Sequence, residues 1–349
     1  MRGALTDGLG RLGDFGLFAP LLAVAVGWLL PSLALLGYAL LVPSVILMFA
    51  MTVAMVEPGR LHWHEIWPAI GLALSNLLLS PLLAHGLALA LGLDEVGAWM
   101  VLVAACPAAG GATLVAGLLG LAMRPLLLAQ LLCFLALPVT APLVAALILD
   151  AAVIDPWALF QRVAVVVALP CLLGLALRRA LSGGLTLRPL RGVGTLALCG
   201  IGLALAHGLS SKLEAPIPWA TCVLGLGLAS LAGGALGFTT GVLSGRFGGA
   251  RLGAAFALGG AVRNVSLLWS ATMGLSTPEG EAVMMLGTLW TFVLPALLAP
   301  LSWQRNRSGH GIAPGGASAD RGQRRGMITP RFRAVYEAPA EGLRNRYRP

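Results

Sequence analysis

The chain has 349 residues, of which 58% are hydrophobic and only 11% are charged. A soluble domain carries roughly 25% charged residues, so the composition excludes a protein with a fully water-exposed surface and predicts a helical membrane protein. The net charge of +9 does not indicate a nucleic-acid partner, because ten of the 23 basic residues lie in the last 46 positions and most others lie in short loops. The five cysteines lie in apolar segments without a CxxC pair, and we interpret them as small hydrophobic residues.

Apolar runs of about 20 residues, the length needed to cross a bilayer, recur along the chain. After a cytoplasmic N-terminus at 1–15, they predict spans at 16–31, 33–54, 66–91, 95–120 and 124–149, and then at 158–179, 192–210, 217–243, 250–273 and 280–303. We therefore expect an all-α integral membrane protein of about ten transmembrane helices, in two five-helix units at 16–150 and 151–303. The basic tail, 304–349, is predicted to be disordered and to lie against anionic lipids.

Basic residues are divided unequally between the loops on the two sides of this arrangement. One side holds Arg2, Arg11, Arg60, Arg124, Arg178, Arg179, Arg188, Arg191, Arg246 and Arg251. The other side holds Arg162 and Lys212 together with most of the loop carboxylates. Cytoplasmic loops carry an excess of basic residues, so we expect both termini in the cytoplasm of a bacterial inner membrane.

Two tandem units with an odd number of spans must insert in opposite orientations, which gives an inverted repeat. Small residues interrupt the fourth span of each unit, at 107–112 and at 259–262. Glycine pairs also permit close helix packing, but two interruptions at matching positions favour broken helices. Because broken helices expose backbone groups that bind substrates, we predict a substrate site that includes Gly110, Gly111, Gly259 and Gly260.

Arg263, followed by Asn264, is the one clear ionisable residue near the middle of a predicted span. An ionisable side chain there is costly and is a functional candidate by default. Its guanidinium could cap the carbonyl groups of a neighbouring helix. The interpretation we favour is a fixed cation that attracts an anionic substrate group, which its forked donors can bind at two points. The predicted substrate site also includes the span residues Asn76, Thr113, Gln130 and Ser266, although each alone is more typical of an interhelical hydrogen bond.

Sequence motifs of enzymes are absent. The chain has no HExxH, no P-loop, no GxSxG and no aspartate pair of the kind that intramembrane proteases require. His62, His64 and Glu65 alternate ligand types, but they lie in a short predicted loop, and we expect no metal or cofactor there. The missing P-loop also argues against an ATP-driven pump that acts alone. We therefore expect a transporter and not an enzyme.

Five segments carry a resemblance to a known family: LMFAMTVAMV in span two, SNLLLSPLLAHGL in span three, CPAAGGATLVAGLLG in span four, LPVTAPLV in span five and GGAVRNVSLLWSATM in span nine. Together they resemble the bile acid:sodium symporter family over about residues 16 to 303. The resemblance implies a core of spans three to five and eight to ten, which contains the crossing broken helices four and nine. It also implies a panel of spans one, two, six and seven, and transport of organic anions, in many members driven by sodium.

The chain departs from that family where sodium would be held. In sodium-coupled members, span nine carries a glutamate and a glutamine before the asparagine, whereas this chain has Gly259 and Arg263 before a matching Asn264. Other polar positions of the family correspond here to Asn76, Ala112, Thr113, Leu126 and Gln130. Sodium is usually held by oxygen ligands that include a carboxylate, and a nearby arginine repels a cation. We therefore expect a secondary transporter of a small organic anion, by alternating access, that does not use sodium in the usual way.

Two alternatives stay open. The same fold could export a metalloid oxyanion, because related arsenite-type exporters place a cysteine near the break of span four, where this chain has Cys106. The chain could also be a receptor or scaffold that keeps the fold and has lost transport, which the altered sodium positions favour. A small organic anion and the lipid bilayer are the partners that the sequence predicts; the oligomeric state stays open.

Overall fold

The structure is a computed structural model that describes residues 10, 12–13, 16, 18–55, 63–148, 154–181, 187–213, 215–244 and 249–307. Residues 1–299 form one compact unit, and of the second unit, 300–349, only the end of the last helix is described. Most of the predicted tail therefore lies outside the described residues, as do several basic loop residues on which the orientation depends: Arg2, Arg11, Arg60 and Arg246.

The described residues of the first half form eight α-helices: α1 (Ala19–Leu29), α2 (Pro31–Ala39), α3 (Leu41–Met55), α4 (Trp63–Leu74), α5 (Ser80–Leu91), α6 (Asp94–Ala104), α7 (Gly110–Leu118) and α8 (Met123–Ile148). The second half continues with α9 (Pro156–Leu181), α10 (Leu187–Lys212), α11 (Trp219–Leu243), α12 (Gly249–Ala261), α13 (Val265–Thr272) and α14 (Pro278–Arg307). A five-residue π-helix, Ser75–Leu79, joins α4 to α5. No strand occurs among the described residues, which confirms the all-α prediction.

Six helical segments among the described residues are long and apolar enough to cross a membrane: His64–Leu91, Met123–Ile148, Pro156–Ala180, Pro189–Lys212, Trp219–Leu243 and Pro278–Leu298. The pair α2 and α3, bent by 65°, makes a seventh if it is counted as one span. Large apolar side chains on these helices are exposed, for example Leu147 at 75% and Leu231 at 73%, as lipid contact requires. The protein is a multi-pass helical membrane protein. The ten-span inverted repeat stays a prediction, because it also needs α1 and the interrupted pairs α6–α7 and α12–α13.

Proline follows two of the helix ends in the first half. Leu30 separates α1 from α2. Its backbone is not helical, with φ −126° and ψ 80°, because it precedes Pro31. In the same way, α6 ends at Ala104, shortly before Pro107. The break after α6 therefore spans 105–109, two residues earlier than the interruption predicted from the small residues.

The predicted glycine interruptions are helical in the structure. Gly110 and Gly111 begin α7, and Gly259 and Gly260 lie in the last turn of α12, so the break of this second pair spans 262–264. Gly260 packs against α11, where a Cβ on Gly260 would overlap the carbonyl oxygen of Gly233. This glycine therefore allows two helix backbones to touch. The sequence pattern located both broken helices but assigned the breaks to neighbouring residues.

Helix packing separates the described residues into two groups. The first group contains α1, α2, α3, α9 and α10, and the second contains α4 to α8, α11 and α12. Helix α13 packs against α3 and α9 of the first group, and we count it with the second because it follows α12 in the same predicted span. Helix α14 joins the second group, because the Thr291 hydroxyl donates to the carbonyl oxygen of Arg263 and Gly280 packs on the ring of Trp99. The grouping agrees with the panel and the core that the family resemblance implies, except at α13, which packs against the first group. Both broken helix pairs belong to the second group.

Candidate functional site

The two breaks lie against each other inside the second group. Ala108 and Arg263 form an isolated antiparallel bridge. The amide of Ala109 donates to the carbonyl oxygen of Val262 at 2.8 Å, and the amide of Asn264 donates to the carbonyl oxygen of Pro107 at 2.8 Å. Backbone groups that lost their helical partners therefore find partners across the crossing, which satisfies them in a buried environment.

Four helix ends meet at this crossing. Helices α6 and α12 end there, and helices α7 and α13 begin there. A helix carries about half a positive charge at its N-terminus and about half a negative charge at its C-terminus. The crossing therefore presents two negative and two positive helix ends within one buried region.

Arg263 lies at this crossing and is 5% exposed. Its Nη1 donates to the carbonyl oxygen of Cys106 at 3.1 Å, and its Nη2 donates to the hydroxyl oxygen of Ser80 at 2.8 Å. The guanidinium thus ties the end of α6 to the start of α5. Of the two interpretations made from the sequence, capping of a neighbouring helix's carbonyl group is visible in these contacts.

The hydrogen-bond partners described for Arg263 are neutral groups. Among the described residues, Arg124 pairs with Glu65 and Lys212 pairs with Glu281, and neither ion pair involves Arg263. Burial of an ion without an opposite charge costs several kcal/mol. The negative ends of α6 and α12 reduce that cost, because Cys106 follows one of these helices and Arg263 follows the other.

The predicted polar residues surround the same crossing. The Thr113 hydroxyl donates to Gln130 Oε1 at 3.0 Å, and the Ser266 hydroxyl donates to Asn264 Oδ1 at 3.0 Å. Asn76 lies in the π-helix, and its amide nitrogen donates to the carbonyl oxygen of Gly259 at 3.5 Å. The Asn76 Oδ1 atom is buried and has no hydrogen-bond partner. Since π-helical turns are frequent at functional sites, this orphaned acceptor is consistent with a functional role for Asn76.

The predicted glycines differ in how closely other atoms approach them. Gly110 is exposed, and a Cβ added to it would meet no atom within 4 Å. A Cβ on Gly111 would lie 3.1 Å from the ring of Pro295, and one on Gly259 would overlap the side chain of Leu126. The first residue of α7 is therefore unpacked, whereas Gly259 and Gly260 serve close packing.

Two residues of this site were missed from the sequence. Ser80 lies four residues after Asn76 and before Pro81, so the spacing of its hydroxyl on one helix face was a usable signal. Thr291 lies 28 residues from Arg263, and its contact with the carbonyl oxygen of Arg263 depends on tertiary packing that no local pattern shows.

Cys106, the residue behind the metalloid alternative, is a free and fully buried thiol whose Sγ contacts the carbonyl oxygen of Leu102 in the preceding helix, α6. Among the described residues, no group of three or more His, Cys, Asp or Glu side chains is arranged to hold a metal ion. The contacts of this thiol add no observation in favour of metalloid export.

The fold and the crossing define a class: a multi-pass helical membrane protein whose second group contains two broken helices in contact. Residues 40–215, half of the chain, match the family model for the sodium bile acid symporter family. The chain belongs to that family, whose members are transporters. The matched region includes the break between α6 and α7 and ends before the break that contains Arg263. No curated protein matches the chain by sequence.

Proposed function

We propose that the protein is a secondary transporter that carries a small organic anion by alternating access, without a sodium ion. The observation that carries this proposal is the environment of Arg263. It is a buried cation at the crossing of two broken helices, and its described partners, Cys106 and Ser80, are neutral.

An anion would complete this site electrostatically. A guanidinium has five N–H donors, and the two side-chain contacts described for Arg263 leave donors for a carboxylate. The positive N-terminal end of α7 lies at the same crossing, and the surroundings of Gly110 are open. Carboxylates bind well to both kinds of group. Asn76, Thr113, Gln130, Asn264 and Ser266 supply the polar surroundings in which we place the substrate.

The same charge disfavours sodium. Two unit cations 4 Å apart repel each other by about 4 kcal/mol at an effective dielectric constant of about 20. On the resemblance stated above, we align the glutamate and the glutamine of sodium-coupled relatives with Gly259 and Arg263. In this chain, therefore, the carboxylate that would attract sodium is absent, and Arg263 adds a cation that would repel sodium.

We further propose ten spans in an inverted repeat, with both termini on the cytoplasmic side of a bacterial inner membrane. The breaks after α6 and α12 fall in the fourth span of each five-span unit, as the repeat requires. Helix polarity supports the orientation, because Arg178 and Arg179 end α9 and Arg191 lies near the start of α10, at one end of the bundle. The basic tail would then face the anionic lipids of the inner leaflet.

Uptake into proteoliposomes tests the transport proposal. A panel of radiolabelled small carboxylates would be offered with a sodium gradient and with a potassium gradient, to the native chain and to Arg263→Gln. We expect equal uptake of the transported member under both gradients. We expect a loss of roughly tenfold to a hundredfold in the variant, because a charged hydrogen bond contributes about 1.5–3 kcal/mol.

The matched control is Arg251→Gln, which removes an exposed arginine from the same helix, α12, and should leave uptake unchanged. Uptake that requires sodium would overturn the sodium-independent proposal. Full uptake by Arg263→Gln would remove the arginine from the substrate site.

A further inference from the structure

Three polar side chains from three helices meet at the end of the bundle opposite the arginine-rich ends of α9 and α10. The Tyr38 hydroxyl donates to Glu281 Oε1 at 2.8 Å, and Lys212 Nζ lies 2.8 Å from Glu281 Oε2. The Lys212 and Glu281 side chains are only 20% and 15% exposed. Tyr38 in α2 and Lys212 in α10 belong to the first group, whereas Glu281 in α14 belongs to the second. The carboxylate therefore ties the two groups together.

A second contact joins the two groups at the same end. Arg162 Nη1, near the start of α9, donates to the carbonyl oxygen of Met273 at 2.6 Å. Met273 caps the end of α13. Both contacts thus link the first group to α13 and α14, the helices that follow the second break. The contacts lie on the side of the crossing towards which α13 runs.

The space below these contacts is filled. The ring of Tyr38 lies 5.1 Å from that of His207 and 6.4 Å from that of Trp269, measured between ring centroids. Trp269 and Met285 are fully buried, and a Cβ on Gly208 would overlap the sulfur of Met285. Helix α10 therefore lies directly against α14 here, and no substrate can pass between the two groups while they are in contact.

We propose that Tyr38, Lys212 and Glu281 form a gate that closes the transport pathway at this end, and that loss of the Glu281 contacts opens it. The inference rests on the proposed function, since a gate needs a pathway between the two groups. Charged side chains suit this role, because they regain hydration when the groups separate. An apolar seam alone would expose its surface to water with no such compensation.

Accessibility of a buried reporter tests the gate without any substrate. Met285→Cys places a thiol beneath the contact, and a membrane-impermeant thiol reagent is applied to membranes from the Lys212 side. Mass spectrometry follows labelling at position 285 in the full chain, so the native cysteines can stay. We expect slow labelling with Glu281 present and labelling about tenfold faster in Glu281→Gln, the factor for loss of one charged hydrogen bond.

Two further variants separate a gate from general loosening. Glu279→Gln removes the same charge from the same helical turn and should not change the labelling rate. Exchange of the pair, Lys212→Glu with Glu281→Lys, should restore slow labelling. His207→Cys serves as a second reporter if Met285→Cys fails to reach the membrane.

An unchanged rate in Glu281→Gln, or an equal increase in Glu279→Gln, would overturn the gate. These results do not depend on transport. If Glu281→Gln labels fast but the protein transports no carboxylate of the panel, the gate stands and the proposed substrate is wrong. Sodium-independent uptake with unchanged labelling would keep the proposed function and overturn the gate.

Discussion

Two basic residues in this protein lie in opposite electrostatic situations. Lys212, at one end of the bundle, contacts a carboxylate at 2.8 Å across the boundary between the two helix groups. Arg263, at the crossing of the broken helices, donates to a carbonyl oxygen and a hydroxyl within its own group. An ion pair between two helix groups holds the groups together, whereas a buried cation without a counter-ion attracts an anion. The difference is the basis of the two proposals, gating for the first residue and recognition of the substrate charge for the second.

The largest expected effect comes from the helix packing that positions the crossing. Gly260→Ala should destabilise the protein by about 3 kcal/mol, because the added Cβ overlaps the backbone of Gly233. Relief of this overlap requires a shift of the helix backbone, which a side-chain rotation cannot replace. Thermal unfolding in detergent measures the change. Gly227→Ala, in the neighbouring helix α11, is the control, because a Cβ there meets nothing within 4 Å. It should be neutral or slightly stabilising, since Ala favours a helix over Gly. Equal stability of the two variants would mean that α11 and α12 do not need to touch.

A smaller effect is expected at the hydroxyl that holds Arg263. Ser80→Ala removes one acceptor from the buried guanidinium and should lower stability by about 1.5–3 kcal/mol, as for a hydrogen bond to a charged group. Ser270→Ala is a matched control: Ser270 is similarly buried, but its hydroxyl donates to a carbonyl oxygen of its own helix. The same melting experiment compares the two. A loss no larger than that of the control would show that Ser80 does not support the cation, and the comparison with Lys212 would weaken.

The sequence predicted the crossing better than it predicted its details. Pro107 and the small residues after it located one broken helix, and Gly259 with Gly260 located the other, because both patterns are local in the sequence. The positions of the breaks differed by two or three residues, since they depend on hydrogen bonds between the two breaks, such as that from Asn264 to Pro107. The contact between Tyr38 and Glu281 was not predicted at all. These residues are 243 positions apart in the sequence, and no periodicity links them.

The finest test asks whether the sodium site can be restored. Gly259→Glu alone would overlap the side chain of Leu126, so the variant combines Leu126→Ser, Gly259→Glu and Arg263→Gln. Together these changes remove the charge at position 263, add a carboxylate at position 259 and leave room for an ion beside it. A ligand present at ten times its Kd stabilises a protein by about 1.4 kcal/mol. We expect sodium, but not potassium, to stabilise this variant by about that amount, which is measured as a rise in its melting temperature.

The native chain, melted in the same two salts, should show no difference between them. The double variant Leu126→Ser with Arg263→Gln lacks the new carboxylate and is the control for loss of the cation alone. If it responded to sodium as strongly as the triple variant, the new carboxylate would not be needed to bind the ion. In that case loss of the Arg263 charge, together with the hydroxyl that Leu126→Ser adds, would be enough to admit sodium. If sodium already stabilised the native chain, the charge of Arg263 would not be decisive, and the contrast with the paired Lys212 would lose its functional meaning.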